Sequence, residues 1–536
     1  MADPVIGIDL GTTNSVVATV KDGKVVVITD DKGRRLHPSI VSFHPNGGTL
    51  VSYEAQQRRI VDPRNTIFSA KRLIGQPYRS EDVQYAIQRL PYRVEEGPNE
   101  QTVIVARGKR YTVPEISALV LAYLRQCAER HFGGPVDKAV ITVPANFNDS
   151  QRAATKAAGR IAGLEVLRIL NEPTAAALAY GVGRGLDRKI AIYDLGGGTF
   201  DITILQVRDK IFEVLATGGD TFLGGDDMDE AMLDLLALDF LADHHYDLRD
   251  DMVARPVLLV AAEHVKRQLS KHERYQSEIK DLIHGEGGAA IALKIDVARD
   301  RFEQAIEPLC ERTFEACEEV IRLAGLEVSQ IDDVVLVGGA TRVPLVQRSV
   351  EKYFQKPVHA NINPDEVVAY GAAIQALALS SDLEMDQFYS LLLDVTPRAL
   401  GIAVAGGYAE PIIGRNVQIP VEQTRIFTTA SDHQQLVRIQ VCQGESRRFD
   451  ENTALGELAL SDLRRARRGE IKIAVTFLID TDGILRVNAR DVDTGAAQTA
   501  TIQVRGTMSE QEIGERRAAF AVTSAQALPA PAENAS

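Results

Sequence analysis

The chain has 536 residues, of which 45% are hydrophobic and 25% charged, and a globular chain of this length is expected to form two or more domains. The formal net charge of −14 argues against a nucleic-acid binder, because phosphate contacts require a basic surface, although a local basic pocket for a small anion is compatible with it. The longest apolar runs, such as ALVLAYL at 118–124, are too short to span a bilayer.

The cellular compartment is predicted from the N-terminus and the cysteines. The first residues, MADPVIGIDLG, contain no basic region followed by an apolar stretch, so no secretion signal is expected. The four cysteines are scattered, and Cys310 and Cys317 lie two helical turns apart on a predicted helix, roughly 10 Å by helix rise, which is too far for a disulfide. We therefore expect a cytoplasmic protein with reduced thiols.

Three segments share one pattern, in which an apolar run predicted to be a buried strand leads directly into a glycine-rich turn. They are VIGIDLGTTNS at 5–15, AIYDLGGGTFD at 191–201 and VVLVGGATRVP at 334–344. The first two also carry an aspartate at the end of the strand, Asp9 and Asp194. Two similar strand–turn units so far apart in sequence predict two related lobes, each contributing one loop to a shared cleft.

Strand-like and helix-like segments alternate up to about residue 380, which predicts an α/β region. Residues 138–147 are expected to form a strand, and 149–164 a helix with Asp149 or Ser150 as its N-cap and Gly163 near its end. Pro173 predicts the first turn of another helix. Two long helical patterns cover 253–271 and 299–324.

Alternating polar and apolar residues after residue 395 predict a β-sandwich. The apolar positions of 471–479 share one side of a strand, and Asp482-Gly483 predicts a hairpin turn before 484–490. Further strands are predicted at 437–441 and 500–504. The predicted organisation is an α/β domain at 1–380, a linker with three consecutive leucines at 381–395, the sandwich at 396–508 and a tail at 509–536.

The tail is predicted to be mostly unstructured. Ser509 and Glu512 have the spacing of a capping box, which predicts a short helix to about Phe520. The last residues, ALPAPAENAS at 527–536, have a composition typical of disorder.

The strand-end loops indicate a metal–nucleotide site. Loops of small residues expose backbone N–H groups to an anion, and threonines add hydroxyl donors. A carboxylate at the same place would repel a bare phosphate, so Asp9 and Asp194 are expected to hold a hydrated Mg²⁺. The phosphate cradle would then comprise Thr12, Thr13, Gly196, Gly197, Gly198 and Thr199. One such loop alone would be an ordinary turn, but three are difficult to attribute to chance.

The sequence contains neither GxxxxGK[ST] nor GxGxxG, which argues against the P-loop and Rossmann folds and favours an actin-like ATPase with the nucleotide between two lobes. Other polar residues are less informative alone. Taken alone, Lys71 is compatible with an ordinary solvent-exposed lysine, and Glu172 is compatible with a helix cap. Glu263, Lys266, Arg267 and Ser270 share one helical face, which is usually a solvent-facing surface.

Seven segments together resemble the signature motifs of the seventy-kilodalton heat-shock chaperones of the DnaK type. They are IGIDLGTTNS, ITVPANFND, NEPTAAALAYG, YDLGGGTFD, VLVGGATRVP, NPDEVVAYGAA and LLLDVTPRALGI, and the likeness extends from the N-terminus to about residue 508. The resemblance implies a two-lobed actin-like ATPase domain, a leucine-rich linker and a β-sandwich that binds extended apolar segments of unfolded clients. It also implies ATP or ADP, Mg²⁺ and K⁺ as cofactors, and a J-domain co-chaperone and a nucleotide exchange factor as partners.

The resemblance assigns roles to individual residues in the nucleotide site. Lys71 would contact the γ-phosphate and position the attacking water, and Glu172 would help to order that water. Asp9 and Asp194 would hold Mg²⁺ through water, and Asp194, Thr199 and Asp201 would lie near K⁺. Glu263, Lys266, Arg267 and Ser270 would hold adenosine, with Arg342 against the adenine. The remaining nucleotide-binding positions are Gly11, Asn14, Gly338 and Gly339.

In the sandwich, the resemblance implies a peptide channel with an arch over it. The channel would be lined by Ile402, Phe427, Val437, Ile439 and Ile473, although these residues taken alone fit an ordinary sandwich core equally well. Ala405 and Ala430 would form the arch. Arg168 and Asp394 match positions implicated in the J-domain contact, and Leu391 and Leu392 would couple the two domains.

Three departures from the family pattern bear on peptide binding. The long helical lid is expected to be essentially missing, since only 28 residues follow Met508. The arch is thin because both of its residues are alanine. The segment RRARRGE at 464–470 is basic where the family commonly has prolines, and its Arg468 matches a position that pairs with the lid. Together these features predict fast peptide exchange in both nucleotide states.

Several functions remain open at this stage. The leading one is an ATP-dependent chaperone. A lidless specialist or regulator that binds one particular partner is a second hypothesis within the same family. A small-molecule kinase and an actin-like filament protein are possible on the same two-lobed fold, but neither would need a β-sandwich after a leucine-rich linker.

Overall fold

The computed structural model describes residues 4–181, 187–284, 288–358, 363–380, 390–494, 497–498 and 508–527. The predicted strand at 500–504, the first nine linker residues (381–389) and the last nine residues of the tail (528–536) lie outside the described residues. Among the described residues, no helix combines the length and the apolar content needed to cross a membrane.

The first lobe covers residues 4–181 and is built on a sheet whose two central strands are almost entirely buried. Its strands are β1 (Val5–Asp9), β2 (Asn14–Lys21), β3 (Lys24–Val27), β4 (His37–Pro38), β5 (Val41–Phe43), β6 (Thr49–Val51), β7 (Thr66–Ile67), β8 (Arg93–Glu96), β9 (Thr102–Ala106), β10 (Lys109–Thr112), β11 (Lys138–Val143) and β12 (Glu165–Asn171). The main sheet has the order β12-β11-β1-β2-β3, with β1, β11 and β12 parallel. Its helices are α1 (Tyr53–Gln56), α2 (Arg58–Val61), α3 (Glu81–Ile87), α4 (Val113–Phe132), α5 (Asp149–Ile161) and α6 (Glu172–Gly181).

The second lobe covers the described residues from 187 to 380 and repeats the strand–turn plan of the first. Its strands are β13 (Asp187–Leu195), β14 (Phe200–Arg208), β15 (Ile211–Asp220), β16 (Arg274–His284), β17 (Ala290–Ala298) and β18 (Asp333–Val337). Its helices are α7 (Gly225–His244), α8 (Ala254–Leu269), α9 (Arg299–Leu323), α10 (Pro344–Phe354) and α11 (Val367–Ser380). As predicted, α8 and α9 occupy the two long helical patterns.

The last helix of this segment, α11, packs against the first lobe and joins the two halves. A Cβ added to Gly371 would lie 1.8 Å from the carbonyl oxygen of Ala175 in α6, and one added to Gly7 would lie 2.1 Å from the backbone nitrogen of Ala373. Only glycine permits such close backbone approach. The helix that ends the second segment is therefore anchored tightly on the first lobe.

The sandwich consists of two four-stranded antiparallel sheets around one apolar core. The strands after β19 (Leu391–Val395) are β20 (Leu400–Val404), β21 (Tyr408–Ile413), β22 (Gln418–Ile419), β23 (Val421–Thr428), β24 (Val437–Gln443), β25 (Thr453–Leu460), β26 (Lys472–Ile479), β27 (Leu485–Asp491) and β28 (Ala497–Gln498). All of them except β22, which pairs with β19, belong to the two sheets of the sandwich. The sheet orders are β21-β20-β24-β25 and β23-β26-β27-β28. Residues 471–479 alternate as predicted, and Gly483 makes the predicted turn with φ of +76°.

The leucine segment of the predicted linker is a strand rather than an extended connection. In β19, Leu391–Leu393 pair in parallel with Ile211–Glu213 of β15, which adds a strand to the sheet of the second lobe. Asp394 and Val395 then pair with β22 of the sandwich region. Leu392 is buried in the lobe's core whereas Leu391 is 49% exposed. The three leucines therefore belong to the sheet of the second lobe, and β22 extends that same sheet by pairing with the last two residues of β19.

A second contact between the domains lies at α5. The Asp482 carboxylate accepts hydrogen bonds from Lys156 (2.5 Å) and from the backbone N–H of Ile169 (3.1 Å). The backbone N–H of Leu485 donates to Asp149 (2.5 Å). Asp149 is thus an interface residue and not the predicted cap: the side chain of Asn148 caps α5, in a capping box with Gln151.

The C-terminal helix α12 (Glu510–Ala527) lies on the first lobe. Ser509 and Glu512 form the predicted capping box, but the helix continues beyond Phe520 to Ala527. Ile513 is buried in the core of the first lobe, and Glu510 accepts two hydrogen bonds of 2.7 Å from Arg160 of α5. In this conformation the helix therefore contacts the α/β domain and is held there by both apolar and ionic contacts.

Candidate nucleotide site between the lobes

The predicted strand-end aspartates meet in one cavity. Asp9 is the last residue of β1, and Asp194 lies near the end of β13, paired with Val337 of the parallel strand β18. Because all three strands end at the cleft, their turns face each other across it. The cavity between them has a volume of about 780 Å³ and is lined by both lobes.

Most of the predicted nucleotide residues line this cavity. They are Asp9, Gly11, Thr12, Thr13, Asn14, Lys71, Glu172, Asp194, Gly196, Gly197, Thr199, Glu263, Lys266, Arg267, Ser270, Gly338, Gly339 and Arg342. Gly198 and Asp201 are not part of the cavity wall. Asp201 lies opposite Asp194 on the neighbouring strand β14, where its carboxylate accepts a hydrogen bond of 3.1 Å from the backbone N–H of Asn146.

The glycines allow the loops of the two lobes to interlock. A Cβ at Gly197 would lie 1.9 Å from the Thr13 hydroxyl, and one at Gly198 would lie 2.9 Å from the Thr12 methyl group. Gly338 has φ of +85°, and a Cβ there would meet the carbonyl of Leu195 at 2.3 Å. Side chains at Gly197 and Gly198 would fill the space between the lobes, and one at Gly338 would collide with the end of β13. The glycines therefore keep a cradle of backbone groups open to an anion.

A buried ion pair lies on the floor of the cavity. Lys71, on the 3₁₀ turn Ala70–Leu73, donates a hydrogen bond of 2.6 Å to Glu172 at the start of α6. Both side chains are more than nine-tenths buried. Neither residue is therefore the solvated lysine or the simple helix cap that its local sequence suggests. A buried pair of this kind is costly to desolvate and persists when the two charges serve each other or a ligand.

Three carboxyl groups near this pair have raised pKa values. Burial, with the negative charge of Glu172, raises the pKa of Asp9 to about 7. The same two causes raise the pKa of Asp201 to about 7 and that of Asp194 well above its usual value. A cation at this place would favour their ionised forms, so the set fits a site for Mg²⁺ or K⁺. Among the described residues, no three carboxylate, imidazole or thiol side chains converge closely enough to hold a metal alone.

Most of the predicted adenosine residues lie together at α8, with Glu263, Lys266 and Arg267 on the helix and Ser270 as its C-cap. Lys266 forms an ion pair with Asp229 (2.8 Å) and donates to the carbonyl of Gly225. Arg342 is half exposed and pairs with Asp365. These contacts leave Arg267 as the more exposed cation of the face, with 57% of its side chain accessible.

Sequence reasoning missed a set of interlobe contacts next to the cavity. Arg59 of the first lobe pairs with Glu263 (2.7 Å), and although burial opposes it, this guanidinium lowers the pKa of the Glu263 carboxyl. Arg72 pairs with Asp227 (2.5 Å), and Ser69 donates to Asp226 (2.7 Å). The run GGDDMDE at 224–230 was the available signal, since four acids at a helix start require partners. These contacts hold the two lobes together beside the proposed nucleotide.

The predicted peptide residues fall into two groups. Ile402, Ile439 and Ile473 are buried in the sandwich core. Phe427 and Val437 are partly buried against that core, whereas Ala405 and Ala430 are exposed on loops. The core positions could therefore contact a ligand only if the sandwich opened, and the accessible surface is formed by the loops.

The residues expected to contact a co-chaperone lie at the junction of the domains. Asp394 is buried and accepts hydrogen bonds from Asn171 (2.6 Å) and Thr174 (3.2 Å). Arg168 lies on β12, and its Nε has no hydrogen-bond partner within the described part of the chain. Asp394 belongs to β19, the strand that also contains Leu391 and Leu392.

The family of the chain follows from a comparison of its sequence with family models. The model described as Hsp70 protein matches residues 5–528 of the 536, which includes both lobes, the sandwich and most of α12. Members of this family bind nucleotide, are ATPases and act as ATP-dependent chaperones. The paired glycine loops, the interlobe cavity and the appended sandwich all lie within the matched segment. The chain belongs to the Hsp70 family.

Proposed function

We propose that this chain is an ATP-dependent chaperone that hydrolyses ATP slowly and binds extended apolar segments of unfolded proteins. The observation that carries the proposal is one cavity lined by glycine turns from both lobes, two strand-end aspartates and a buried Lys–Glu pair. A sandwich attached directly to the sheet of the second lobe by a leucine-rich strand supports coupling between ATP and a polypeptide site.

The backbone and side-chain groups that line the cavity are suitable partners for a triphosphate with a bound metal ion. Backbone N–H groups of the glycine turns and the hydroxyls of Thr12, Thr13 and Thr199 would bind phosphate oxygens. Asp9 and Asp194 would hold Mg²⁺ through water, with Asp201 nearby for K⁺, because hard cations prefer oxygen ligands. When bound, these cations would neutralise charge on the phosphates. Phosphate oxygens and water would complete the coordination.

The chain's own contribution to hydrolysis is positioning. The Lys71 ammonium would move from Glu172 toward the γ-phosphate and stabilise negative charge that develops there. Glu172, freed from part of that interaction, would accept a hydrogen bond from the attacking water and orient it. Because a single carboxylate would hold that water only loosely, the proposal includes a slow basal rate that partner proteins can increase.

The same proposal assigns the polypeptide site and its regulators. The loops that carry Ala405 and Ala430 would receive the peptide backbone, and the apolar residues beneath them a leucine-like side chain, whose burial contributes about 1.5–3 kcal/mol. A J-domain co-chaperone would contact Arg168 and the region of Asp394. A nucleotide exchange factor would open the lobes, and the site of action would be the cytoplasm.

The test is ATP turnover by the full chain, measured alone, with an unfolded leucine-rich peptide, and with a J-domain protein. We expect a slow basal rate that each addition increases, and the largest increase with both. ATP turnover that depends on a small hydroxyl compound and ignores the peptide would instead indicate a kinase. Absence of any nucleotide binding would contradict the proposal altogether.

A further inference from the structure

Asp229 and Lys266 form an ion pair in the wall of the nucleotide cavity, and sequence reasoning assigned a role only to Lys266. Asp229 lies near the start of α7, and Lys266 lies in the last turn of α8. The Nζ atom of Lys266 is 2.8 Å from Oδ1 of Asp229, and about nine-tenths of each side chain is buried. Both residues line the cavity between the lobes.

The Lys266 ammonium is fixed from two sides. Its second contact is a hydrogen bond of 2.8 Å to the carbonyl of Gly225. Oδ1 of Asp229 has no well-aligned hydrogen bond within the described part of the chain, so its contact with Lys266 is mainly ionic. Because an ammonium has three N–H groups, at least one of them remains for a ligand in the cavity.

The helix that carries Asp229 is joined to the glycine turn 196–198, which would bind phosphate. Two backbone N–H groups at the start of α7 donate to carbonyls of this turn. The distances are 2.9 Å from Gly225 to Gly196 and 2.7 Å from Asp226 to Gly197. Asp229 follows one turn further along the same helix. The position of the Lys266 ammonium is therefore set relative to the phosphate-binding turn as well as relative to α8.

Glu263 offers a hydrogen-bond acceptor next to this donor. It lies three residues before Lys266 on the same face of α8, and it also lines the cavity. Its Oε2 accepts from Arg59 (2.7 Å), whereas its Oε1 is 3.9 Å from Arg267. A ribose has two adjacent hydroxyls that each donate and accept. One hydroxyl can therefore accept from Lys266 while the other donates to Glu263.

We propose that Asp229 is a positioning residue for the ribose of the bound nucleotide. It holds the Lys266 ammonium at the place where a free N–H meets a ribose hydroxyl. The inference rests on the proposed function, since it names the residue that orients a predicted adenosine contact. Without Asp229 the flexible lysine side chain keeps its charge but samples several positions, so the hydrogen bond to the sugar is lost and the phosphate contacts remain.

The effect should be confined to ligands that carry ribose hydroxyls. A hydrogen bond to a charged group changes affinity by roughly tenfold or more. We therefore expect the parent chain to bind ADP about tenfold more tightly than 2′,3′-dideoxy-ADP, and Asp229→Ala to reduce this preference to less than about threefold. Affinity for dideoxy-ADP itself should change by less than about twofold, because that ligand has no hydroxyl for Lys266 to meet.

The experiment measures binding of ADP and of dideoxy-ADP, each with Mg²⁺, to the full chain by calorimetry. Lys266→Met removes the ammonium and should reduce the preference to the level of Asp229→Ala. The double variant should lose no more than Lys266→Met alone, because Asp229 acts through the lysine. Turnover at saturating ATP should stay within about twofold of the parent in all three variants, since neither residue would contact the γ-phosphate.

Glu230→Gln is the matched control. Glu230 is the next residue of α7 and pairs with Arg255 at the start of α8 (2.9 Å), with both side chains about four-fifths buried. The control therefore breaks a comparable ion pair between the same two helices, but Arg255 is not part of the cavity wall, so the preference for ADP should persist. Asp229→Asn keeps the shape of the side chain without its charge, and it tests the same expectation if the alanine variant does not fold.

An unchanged preference for ADP in the Asp229 variants would overturn the inference and leave the proposed function intact. Equal binding of the two nucleotides by the parent would do the same. Additive losses in the double variant would also overturn it, because Asp229 would then contact the ribose directly, and so would an equal loss in Glu230→Gln, which would indicate a general effect on α7. If the parent bound no nucleotide at all, the proposed function would fail and the inference with it.

Discussion

At the scale of single residues, the buried Lys71–Glu172 pair makes the sharpest prediction for catalysis. Replacing Lys71 with Met removes the charge that would meet the γ-phosphate and leaves Glu172 buried without its partner. The loss of a well-placed electrostatic group typically costs 10²–10³-fold in rate, by order of magnitude. We expect ATP turnover to fall by about that factor while ADP still binds, as measured by phosphate release and by calorimetry.

The control for this change is Lys352→Met, which removes an exposed lysine of α10 far from the cavity. Its turnover should match the parent. Equal losses in both variants would indicate a general effect of charge, and normal turnover in the Lys71 variant would exclude Lys71 from catalysis.

The buried carboxyl group of Asp149 leads us to predict that the contact between the domains depends on pH. Burial raises the pKa of Asp149 to about 7 in the docked structure, whereas a hydrated aspartate titrates near 4. Between about pH 4 and 7 the docked form therefore binds a proton that the undocked form does not, so docking strengthens as the pH falls through 7 and its dependence vanishes well above 7. The docking constant should rise about tenfold from pH 8 to pH 6.

Small-angle scattering at fixed nucleotide measures this equilibrium as a radius of gyration. Asp149→Asn keeps an oxygen acceptor for the Leu485 N–H but cannot titrate, so its pH dependence should be flatter than that of the parent. A parent whose scattering is constant from pH 8 to pH 6, or a variant that retains the full dependence, would contradict the role of Asp149.

The roles of single residues could be anticipated unevenly from sequence. Lys71 and Glu172 carry no local signal, and only the resemblance of seven ordered motifs placed them in a nucleotide site. Arg59 and Arg72 were missed because their partners, Glu263 and Asp227, lie on the opposite lobe. Ion pairs across a cleft depend on how two lobes close, and sequence periodicity contains no information about that closure.

At the scale of elements, the strand β19 separates two adjacent leucines by environment. Leu392 is buried in the second lobe, whereas Leu391 is 49% exposed. Leu392→Asp would place a charge in an apolar core and remove a contribution of about 1.5–3 kcal/mol from burial. We expect this variant to bind ATP normally but to lose stimulation of hydrolysis by peptide, as measured by steady-state turnover with and without the peptide.

Leu391→Asp is the matched control in the same strand, because its side chain faces solvent. It should keep most of the stimulation by peptide. If both variants were equally impaired, the effect would arise from the composition of the segment rather than from docking of β19. If neither variant were impaired, β19 would not couple the domains.

Elements with a strong local pattern were predicted well. The alternation of 471–479 and the long helices α8 and α9 follow directly from residue periodicity, which depends only on near neighbours. The pairing of β19 with β15 was not predicted, because an apolar triplet is compatible with several partners, and the partner lies far away in sequence. The cap of α5 was missed by one residue because Asn148, Asp149 and Ser150 are all good caps, and Asp149 is used instead at the domain interface.

At the scale of the whole molecule, the described residues include four groups of contacts that connect the nucleotide lobes to the rest of the chain. They are β19 on β15, the Asp482 loop on α5, Arg415 with Glu319 of α9 (2.5 Å), and α12 on the first lobe. The Asp482 loop and α12 contact the first lobe, Arg415 contacts the second, and β19 contacts both, so relative movement of the lobes strains this set as a unit. This arrangement explains how closure around a nucleotide could be transmitted to a sandwich that does not touch it.

The whole-molecule prediction is that holding the domains docked uncouples peptide from hydrolysis. All four native cysteines are buried, so Lys156→Cys with Asp482→Cys, whose native side chains lie 2.5 Å apart, provides a selective pair for a short crosslinker with a reducible spacer. The crosslinked chain should still bind and hydrolyse ATP, but peptide should change its turnover by less than about twofold, since undocking is blocked. Reduction of the spacer should restore the response, because the two domains can then separate and propagate the signal.

The double variant without crosslinker controls for loss of the Lys156–Asp482 ion pair. Full stimulation by peptide in the crosslinked chain would mean that coupling needs no separation of the domains at α5, and the signal would then have to pass through β19 alone.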